Sequence, residues 1–300
     1  MLSVVIPLYN KELSIERTIA SVLKQTYASF ELIVVDDGST DKSVEIVENF
    51  TDDRIRLIKK ANGGVSSARN KGIEAANYDW LAFLDADDFW HEDYLLEISK
   101  VIERPIDIEV IATGFARINK DGTILKSSVA LRSGIVDYFK ATNESGYNVL
   151  NMSTFCVKKT SLLSIGMFSK HLTHGEDMEV FEKLARRGNI WIVNKVLSYY
   201  VMDAENRAMG KLPDIEKHRL YYVDSSEITS DEERLYQKTR ILNSIVERVS
   251  NFDVKGALAL LKRQRGLITM GVLVDYMINR FLTKIGLKRK PKIIEEEFRP

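Results

Sequence analysis

Cysteine is nearly absent: Cys156 is the only one in 300 residues, which excludes an internal disulfide and argues against a structural zinc site. Set in Ser153-Thr154-Phe155-Cys156-Val157, it reads as a buried strand thiol rather than a nucleophile. An excess of one charge is missing too. With 43 basic and 43 acidic residues the formal net charge is zero, so no global field draws in nucleic acid and any basic patch has to be local. Long apolar runs are also absent, since Gly266 to Val274 falls far short of the roughly 20 residues that cross a bilayer. Leu2 to Ile6 has no basic segment before it and meets Pro7, Asn10, Lys11 and Glu12 at once, so it reads as a first strand and not a leader. The expectation is a cytoplasmic chain, soluble or peripheral. Two phosphate-binding fingerprints are lacking as well. No Gly-x-Gly-x-x-Gly follows the first strand and no Gly-x-x-x-x-Gly-Lys-Ser/Thr occurs, which sets aside dinucleotide-dependent dehydrogenases and P-loop NTPases.

What is present is an α/β pattern with a core to match: 45% of the residues are hydrophobic. Short β-rich runs (Ser3 to Leu8, Phe30 to Val35, Ile55 to Ile58, Trp80 to Leu84) alternate with amphipathic stretches (Ile15 to Gln25, Asp41 to Phe50, Val65 to Ala76). That predicts a mainly parallel sheet flanked by helices. Ser39-Thr40-Asp41 offers N-cap chemistry for the second helix. Asp121-Gly122 predicts a hairpin between Val110 to Ile118 and Thr123 to Val129, adding antiparallel strands. Asp203 to Pro213, with Gly210, marks a boundary between residues 1–210 and a helical region at 211–300. In that region Glu232 to Val249, Val254 to Arg265 and Val272 to Leu282 have helical spacing. The last of them leads into Lys284, Lys288, Arg289, Lys290 and Lys292. A solvated helical unit, a membrane-surface contact and a homodimer interface all fit this region.

The chemistry concentrates at strand ends. Asp85-Ala86-Asp87-Asp88 directly follows Trp80 to Leu84, and Asp36-Asp37 closes Leu32 to Val35. In open α/β sheets ligands bind beyond the carboxyl ends of the strands, and hard divalent cations prefer carboxylate oxygens there. Asn62-Gly63-Gly64-Val65-Ser66-Ser67-Ala68-Arg69-Asn70 places Arg69 on a first helical turn, where phosphate binds well. Gly175-Glu176-Asp177 precedes the helix expected at Met178 to Arg187. Each stretch taken alone also fits a turn, a cap or a solvated loop; together they point to one site.

In this order, Val5-Ile6-Pro7-Leu8-Tyr9-Asn10, Val35-Asp36-Asp37-Gly38-Ser39-Thr40-Asp41, Gly64 to Asn70, Leu84 to Asp88 and Gly175-Glu176-Asp177 resemble glycosyltransferase family 2. The resemblance spans about residues 3 to 200. It implies a GT-A fold, a nucleotide-diphosphate-sugar donor, a Mn²⁺ or Mg²⁺ ion and transfer with inversion. Carried over by residue, it implies that Pro7 and Tyr9 line the base pocket, with Tyr9 stacked on the base. Asp37 would accept a hydrogen bond from the base, which favours uridine. Arg69 would reach the nucleotide or its phosphates, Asp85 with Ala86 would hold the donor at the ribose, and Asp87 would bind the metal. Asp177 would be the base, with Glu176 orienting the site.

Two departures shape the expectation. Relatives often carry Tyr-Arg-x-His after the last core strand, whereas Tyr200-Val201-Met202-Asp203 stands here; Asp203 or His174 would then take over contact with the metal or diphosphate. His91, His171 and His218 show no ligand spacing. The Gln-x-x-Arg-Trp signature of processive members is missing, as is any Trp beyond Trp191, so transfer of a single sugar is expected. The acceptor would be a saccharide, free or lipid-linked, in bacterial surface-polysaccharide assembly, with contacts from Asn151, Ser153 and Thr154 and a lid at His171 to His174. The alternatives are a catalytically weak nucleotide-sugar-binding or assembly protein on the same fold, and a sugar-phosphate nucleotidyltransferase. The second should show a Gly-rich basic loop where Pro7-Leu8-Tyr9-Asn10 stands.

Overall fold

The computed structural model of the protein describes residues 1–119, 121–128, 132–206 and 212–284. Val129, Gly210, Lys288, Arg289, Lys290 and Lys292 lie outside them. In chain order the elements are β1 (Leu2–Leu8), α1 (Ile15–Leu23), β2 (Phe30–Asp36), α2 (Ser43–Glu48), β3 (Ile55–Lys59), α3 (Val65–Ala75) and β4 (Trp80–Phe83). Then come β5 (Phe89–Trp90), α4 (Tyr94–Ile102), β6 (Val110–Ile118), β7 (Ile124–Ser128), β8 (Gly134–Val136), α5 (Tyr138–Ser145), β9 (Phe155–Lys158) and α6 (Lys159–Ser164). The remainder are α7 (Glu176–Ala185), β10 (Ile190–Val201), α8 (Asp231–Ser250), α9 (Val254–Arg263) and α10 (Met270–Lys284).

The described strands form one mixed sheet in the order β3-β2-β1-β4-β9-β6-β10-β5, with β7 on β6 and β8 on β10. The β3-β2-β1-β4 half is parallel; β9 then runs antiparallel to both β4 and β6. The chain winds outward from β1 to β3 and returns to the other side of β1 for β4. The carboxyl ends of β1, β2 and β4 therefore open side by side at a switch in strand order, where α/β sheets bind ligands. The expected hairpin is present, with Asn119 N donating to Thr123 O at 3.0 Å.

Strand residues alternate between two apolar layers, as the period of two requires. Val5, Ile33, Val35, Leu81 and Phe83 pack on one face with Phe155, Phe168 and Phe181, while Val4, Ile6, Leu32, Val34 and Ala82 pack on the other with α1 and α4. Cys156 is fully buried in the second layer. Helix α3 lies so close to β1 that a Cβ on Gly72 would come within 2.3 Å of Val5 Cγ1. Helix α2 starts later than its cap residues suggest: Asp41 Oδ1 accepts from Ser43 N at 2.9 Å, and its Oδ2 accepts from Glu12 N at 3.1 Å. Asp41 thus ties the turn after β2 to the turn after β1 rather than capping a helix at its side.

A further apolar cluster joins α8, α9 and α10 through Ile241, Ile245, Leu260, Ile268 and Leu273. Buried ion pairs link α8 and the preceding turns to α7. Arg219 meets Glu182 at 3.0 Å and Arg186 meets Glu233 at 2.8 Å, with both glutamates fully buried.

Candidate active site

A cleft of about 550 Å³ opens at the carboxyl ends of β1, β2 and β4, lined among others by Pro7, Tyr9, Asp37, Asp85, Asp87 and Asp177. Arg69, Ala86, His174 and Glu176 line it as well. Every residue expected to hold the donor, the metal or the proton therefore faces one cavity except Asp203, which is not among the described lining residues. Of the expected acceptor contacts Asn151 lines it, whereas Ser153 and Thr154 are fully buried and do not. Asn206, three residues on, does line it, and donates through Nδ2 to Tyr9 O at 3.4 Å.

Asp37 is shaped by its backbone neighbours. It follows β2 directly, and its carboxylate accepts from Gly63 N at 3.0 Å and Gly64 N at 2.7 Å and pairs with Lys60 Nζ. Gly38, at φ +80, lets the chain turn there, since a Cβ would sit 3.0 Å from Asn62 N. The loop entering α3 is thus fastened to the end of β2. Tyr9 stays 40% exposed at the rim, leaving an aromatic face open for stacking.

Asp85 and Glu176 share one cation. Arg69, 4% exposed, donates through NH2 to Asp85 Oδ1 and through NH1 to Glu176 Oε1, each at 2.9 Å. Burial works against the Arg69 charge, but Asp85 and Glu176 outweigh it and hold its pKa above the ordinary value. Burial also pushes the Glu176 carboxyl up to about 7, reinforced by Asp177 and opposed by Arg69. Arg69 therefore braces Asp85 after β4 against Glu176 on α7 across the cleft.

Asp87 takes a different cation. Lys11 Nζ donates to its Oδ2 at 2.6 Å and also to the backbone carbonyls of Glu205 and Asn206. Burial pushes the Asp87 carboxyl up, against the pull of Lys11. The Glu205 carboxylate accepts from Leu13 N at 3.1 Å and Ser14 Oγ at 2.8 Å, so the chain after β10 is strapped across the loop after β1. Asp88 is structural. Fully buried, it accepts from Val201 N at 3.0 Å and pairs with Ser153 Oγ; burial, then Asp87 and Asp85, push its carboxyl well above the usual range.

Asp177 sits in the first turn of α7, which begins two residues earlier than its sequence suggests. Gly175 caps it at φ +76, where a Cβ would meet Met178 Cε at 2.6 Å and Arg219 Cβ at 2.9 Å. The preceding segment, expected to act as a lid, is pinned: Thr173 N donates to Lys217 O at 2.9 Å, and Arg219 N donates to His174 O at 3.0 Å. The His174 and His218 rings stack at 6.4 Å, and His174 Nε2 is buried without a hydrogen-bond partner. Burial and the nearby cation Arg248 lower the His218 pKa to about 4, leaving it neutral. From α8, the Arg240 guanidinium contacts Met178 on this same turn.

The profile of Glycosyl transferase family 2 matches residues 3–158, more than half of the chain. The chain belongs to glycosyltransferase family 2. Among relatives of this family, it is 30% identical to the Escherichia coli UDP-Glc:alpha-D-GlcNAc-diphosphoundecaprenol beta-1,3-glucosyltransferase WfgD, over 72% of this chain and 83% of WfgD. It is 31% identical to the amylovoran biosynthesis glycosyltransferase AmsB of Erwinia amylovora, over 74% of this chain and 76% of AmsB. Identity reaches 39% with the Bacillus subtilis glycosyltransferase EpsJ, but over 40% of this chain and 36% of EpsJ. The chain likewise spans 54% of Escherichia coli YibD and 39% of a Haemophilus influenzae glycosyltransferase. The fold is the GT-A fold of Staphylococcus aureus TarS, whose residues 1–349 with UDP-GlcNAc superimpose at a TM-score of 0.63. That match has 21% identity and covers 96% of this chain and 76% of TarS 1–349.

Sequence reasoning did not single out Lys11, Lys60, Glu205 or Asn206. Lys11 carried a signal, since it stands two residues after Tyr9 at the end of the first strand of a family 2 fold. Asn206 lines the cleft, Lys60 acts on it through Asp37 and Glu205 through the loop after β1, and no local pattern marks any of the three.

Proposed function

We propose that this family 2 enzyme transfers one sugar from a UDP-sugar to a saccharide acceptor carried on a lipid diphosphate, with inversion, in surface-polysaccharide assembly at the cytoplasmic face of the membrane. The observation that carries the proposal is the single cleft joining Tyr9, Asp37, Asp85 and Asp87 on the strand ends to Asp177 on α7. WfgD, by its name, uses UDP-Glc and a diphosphoundecaprenol-linked acceptor, which supports both substrate classes.

In this reading Tyr9 stacks on the base, Asp37 with the loop it fastens shapes the base pocket, and Asp85 holds the ribose. Asp177 takes the proton of the acceptor hydroxyl. The acceptor oxygen bonds to the anomeric carbon, the bond from that carbon to the diphosphate breaks, and its electron pair leaves on UDP. A positioned carboxylate contributes about 10²- to 10⁴-fold to such a step. Glu176, tied to Arg69, sets the position of the turn. We take residues 1–210 as the transferase domain; the helices described between 212 and 284 brace its acceptor side.

A Mn²⁺ or Mg²⁺ ion fits the donor side. Asp85 and Asp87 both line the cleft beside the strand ends, a donor set that suits an ion held by one or two carboxylates and the substrate's own phosphates. Asp87 would hold it, its present partner Lys11 being a flexible ammonium that can move onto the diphosphate. When bound, the ion offsets charge growing on the leaving diphosphate. Calorimetric titration with UDP, GDP, CDP and TDP, with Mn²⁺ and with chelator, tests this. Metal-dependent UDP binding that disappears in Asp87→Ala supports the site; no diphosphate binding under any condition sinks it.

A further inference from the structure

No helix among the described residues is long and apolar enough to cross a membrane, yet one corner of the molecule presents an apolar surface to solvent. Phe252, in the turn between α8 and α9, is 92% exposed and has φ +63. A bulky side chain in the left-handed region is unfavourable, and Phe252 gains no burial there in return. Its neighbours share the exposure: Val249 is 47% exposed, Val254 54% and Leu258 61%. Val254 and Leu258 stand one turn apart on α9 and so share a face.

The corner is also basic. Residues 249–265 contain four cations, Lys255, Lys262, Arg263 and Arg265, and a single acid, Asp253. Asp253 is engaged within the fold, pairing with Arg248 and accepting from Gly256 N at 2.9 Å to cap α9. Lys255, Lys262 and Arg265 are exposed. Apolar side chains beside these three exposed cations match an anionic bilayer surface. A second copy docking by the same face would instead set three cations against three.

The corner adjoins the acceptor side of the cleft. Arg248, four residues before Phe252, donates to Pro213 O at 2.9 Å, and the segment that follows carries His218, whose ring stacks on His174 in the cleft wall. On α9, Arg263 Nε donates to Tyr221 O at 3.3 Å, in the turn that also holds Arg219 against His174.

We propose that the α8–α9 corner docks on an anionic lipid bilayer, with Phe252, Val249, Val254 and Leu258 entering the interface and Lys255, Lys262 and Arg265 lying against lipid phosphates. Docking there brings the acceptor side of the cleft to the surface where a lipid-linked acceptor resides. This purpose rests on the acceptor reading above, whereas the binding itself does not.

The test is flotation of the full chain with phosphatidylcholine vesicles and with phosphatidylcholine–phosphatidylglycerol vesicles at low and high salt. The expected result is binding to the mixed vesicles that weakens with salt. Phe252→Ser should weaken it about ten-fold or more, from the lost burial of one aromatic side chain. Lys255→Gln and Lys262→Gln should weaken it about five-fold each. UDP binding, unchanged in all three variants, confirms that they fold. The proposal is overturned if mixed vesicles are not bound at low salt, or if all three variants bind as the wild type does. It is equally overturned if gel filtration shows a dimer that Phe252→Ser dissociates. Vesicle binding without turnover of a lipid-diphosphate saccharide removes the acceptor reading and leaves the docking surface; turnover without vesicle binding does the reverse.

Discussion

Replacing Arg69 by Met keeps most of the apolar stem but removes the guanidinium, and with it the charge that two carboxylates share. Arg69 is 4% exposed and Glu176 8%, while the Asp85 side chain keeps 29% of its surface in water. Asp85 can turn to solvent; Glu176 cannot. Breaking a buried pair by removing one partner costs about 3–5 kcal/mol, and here most of that cost should come from Glu176. Its carboxyl already stands at about 7 against an ordinary 4.5. A carboxyl raised in the folded state contributes stability that is present at low pH and is lost as pH climbs from its unfolded value through its folded one, about 3 kcal/mol across that window. Without Arg69 the folded value rises further, so the loss continues above pH 7. Urea unfolding followed by tryptophan fluorescence at pH 6 and pH 8 should therefore show Arg69→Met costing more at pH 8. Adding Glu176→Gln should recover a large part of the loss. Equal losses at both pH values, or no recovery in the double variant, would refute this account of the Arg69 bridge.

Other substitutions probe separate links. Gly72→Ala drives a methyl into Val5 at the α3–β1 contact and should destabilise by about 1–3 kcal/mol by overpacking in the same urea assay. Gly175→Ala meets both a left-handed backbone and Met178; kcat should drop while UDP affinity, measured by calorimetry, holds. Asp37→Ala leaves Gly63 N and Gly64 N without their shared acceptor, and UDP affinity should fall about ten-fold or more, in keeping with about 1–3 kcal/mol for unsatisfied donors.

Much of the fold was legible because burial on both faces makes β1, β2 and β4 continuous apolar runs and leaves polar residues at their ends. The same logic marked Asp37, Asp85 and Asp87, since a carboxylate closing an apolar run has to face the ligand end of the sheet. The hairpin at Asp121-Gly122 announced itself through turn chemistry. Strands β5 and β8, of two and three residues, were not legible, since they are too short for any periodicity and exist through pairing with β10. Asp88 looked like its acidic neighbours in sequence; its fate depended on Ser153 and Val201, distant residues that convert it into a buried brace. Arg69 was found as a candidate phosphate ligand, but its two carboxylate partners come from β4 and α7, a juxtaposition that only tertiary structure creates. Glu205 belongs to the same class, as does the pairing of Lys11 with Asp87.

The central claim, inverting transfer with Asp177 as base, is tested most directly by following UDP-sugar turnover with a lipid-diphosphate saccharide acceptor and determining the anomeric configuration of the product by NMR, for the wild type and for Asp177→Asn. The account predicts a product of inverted configuration from the wild type and a rate lower by about 10²-fold or more in Asp177→Asn, with UDP binding intact. A retained configuration, or full activity without the Asp177 carboxylate, would contradict it.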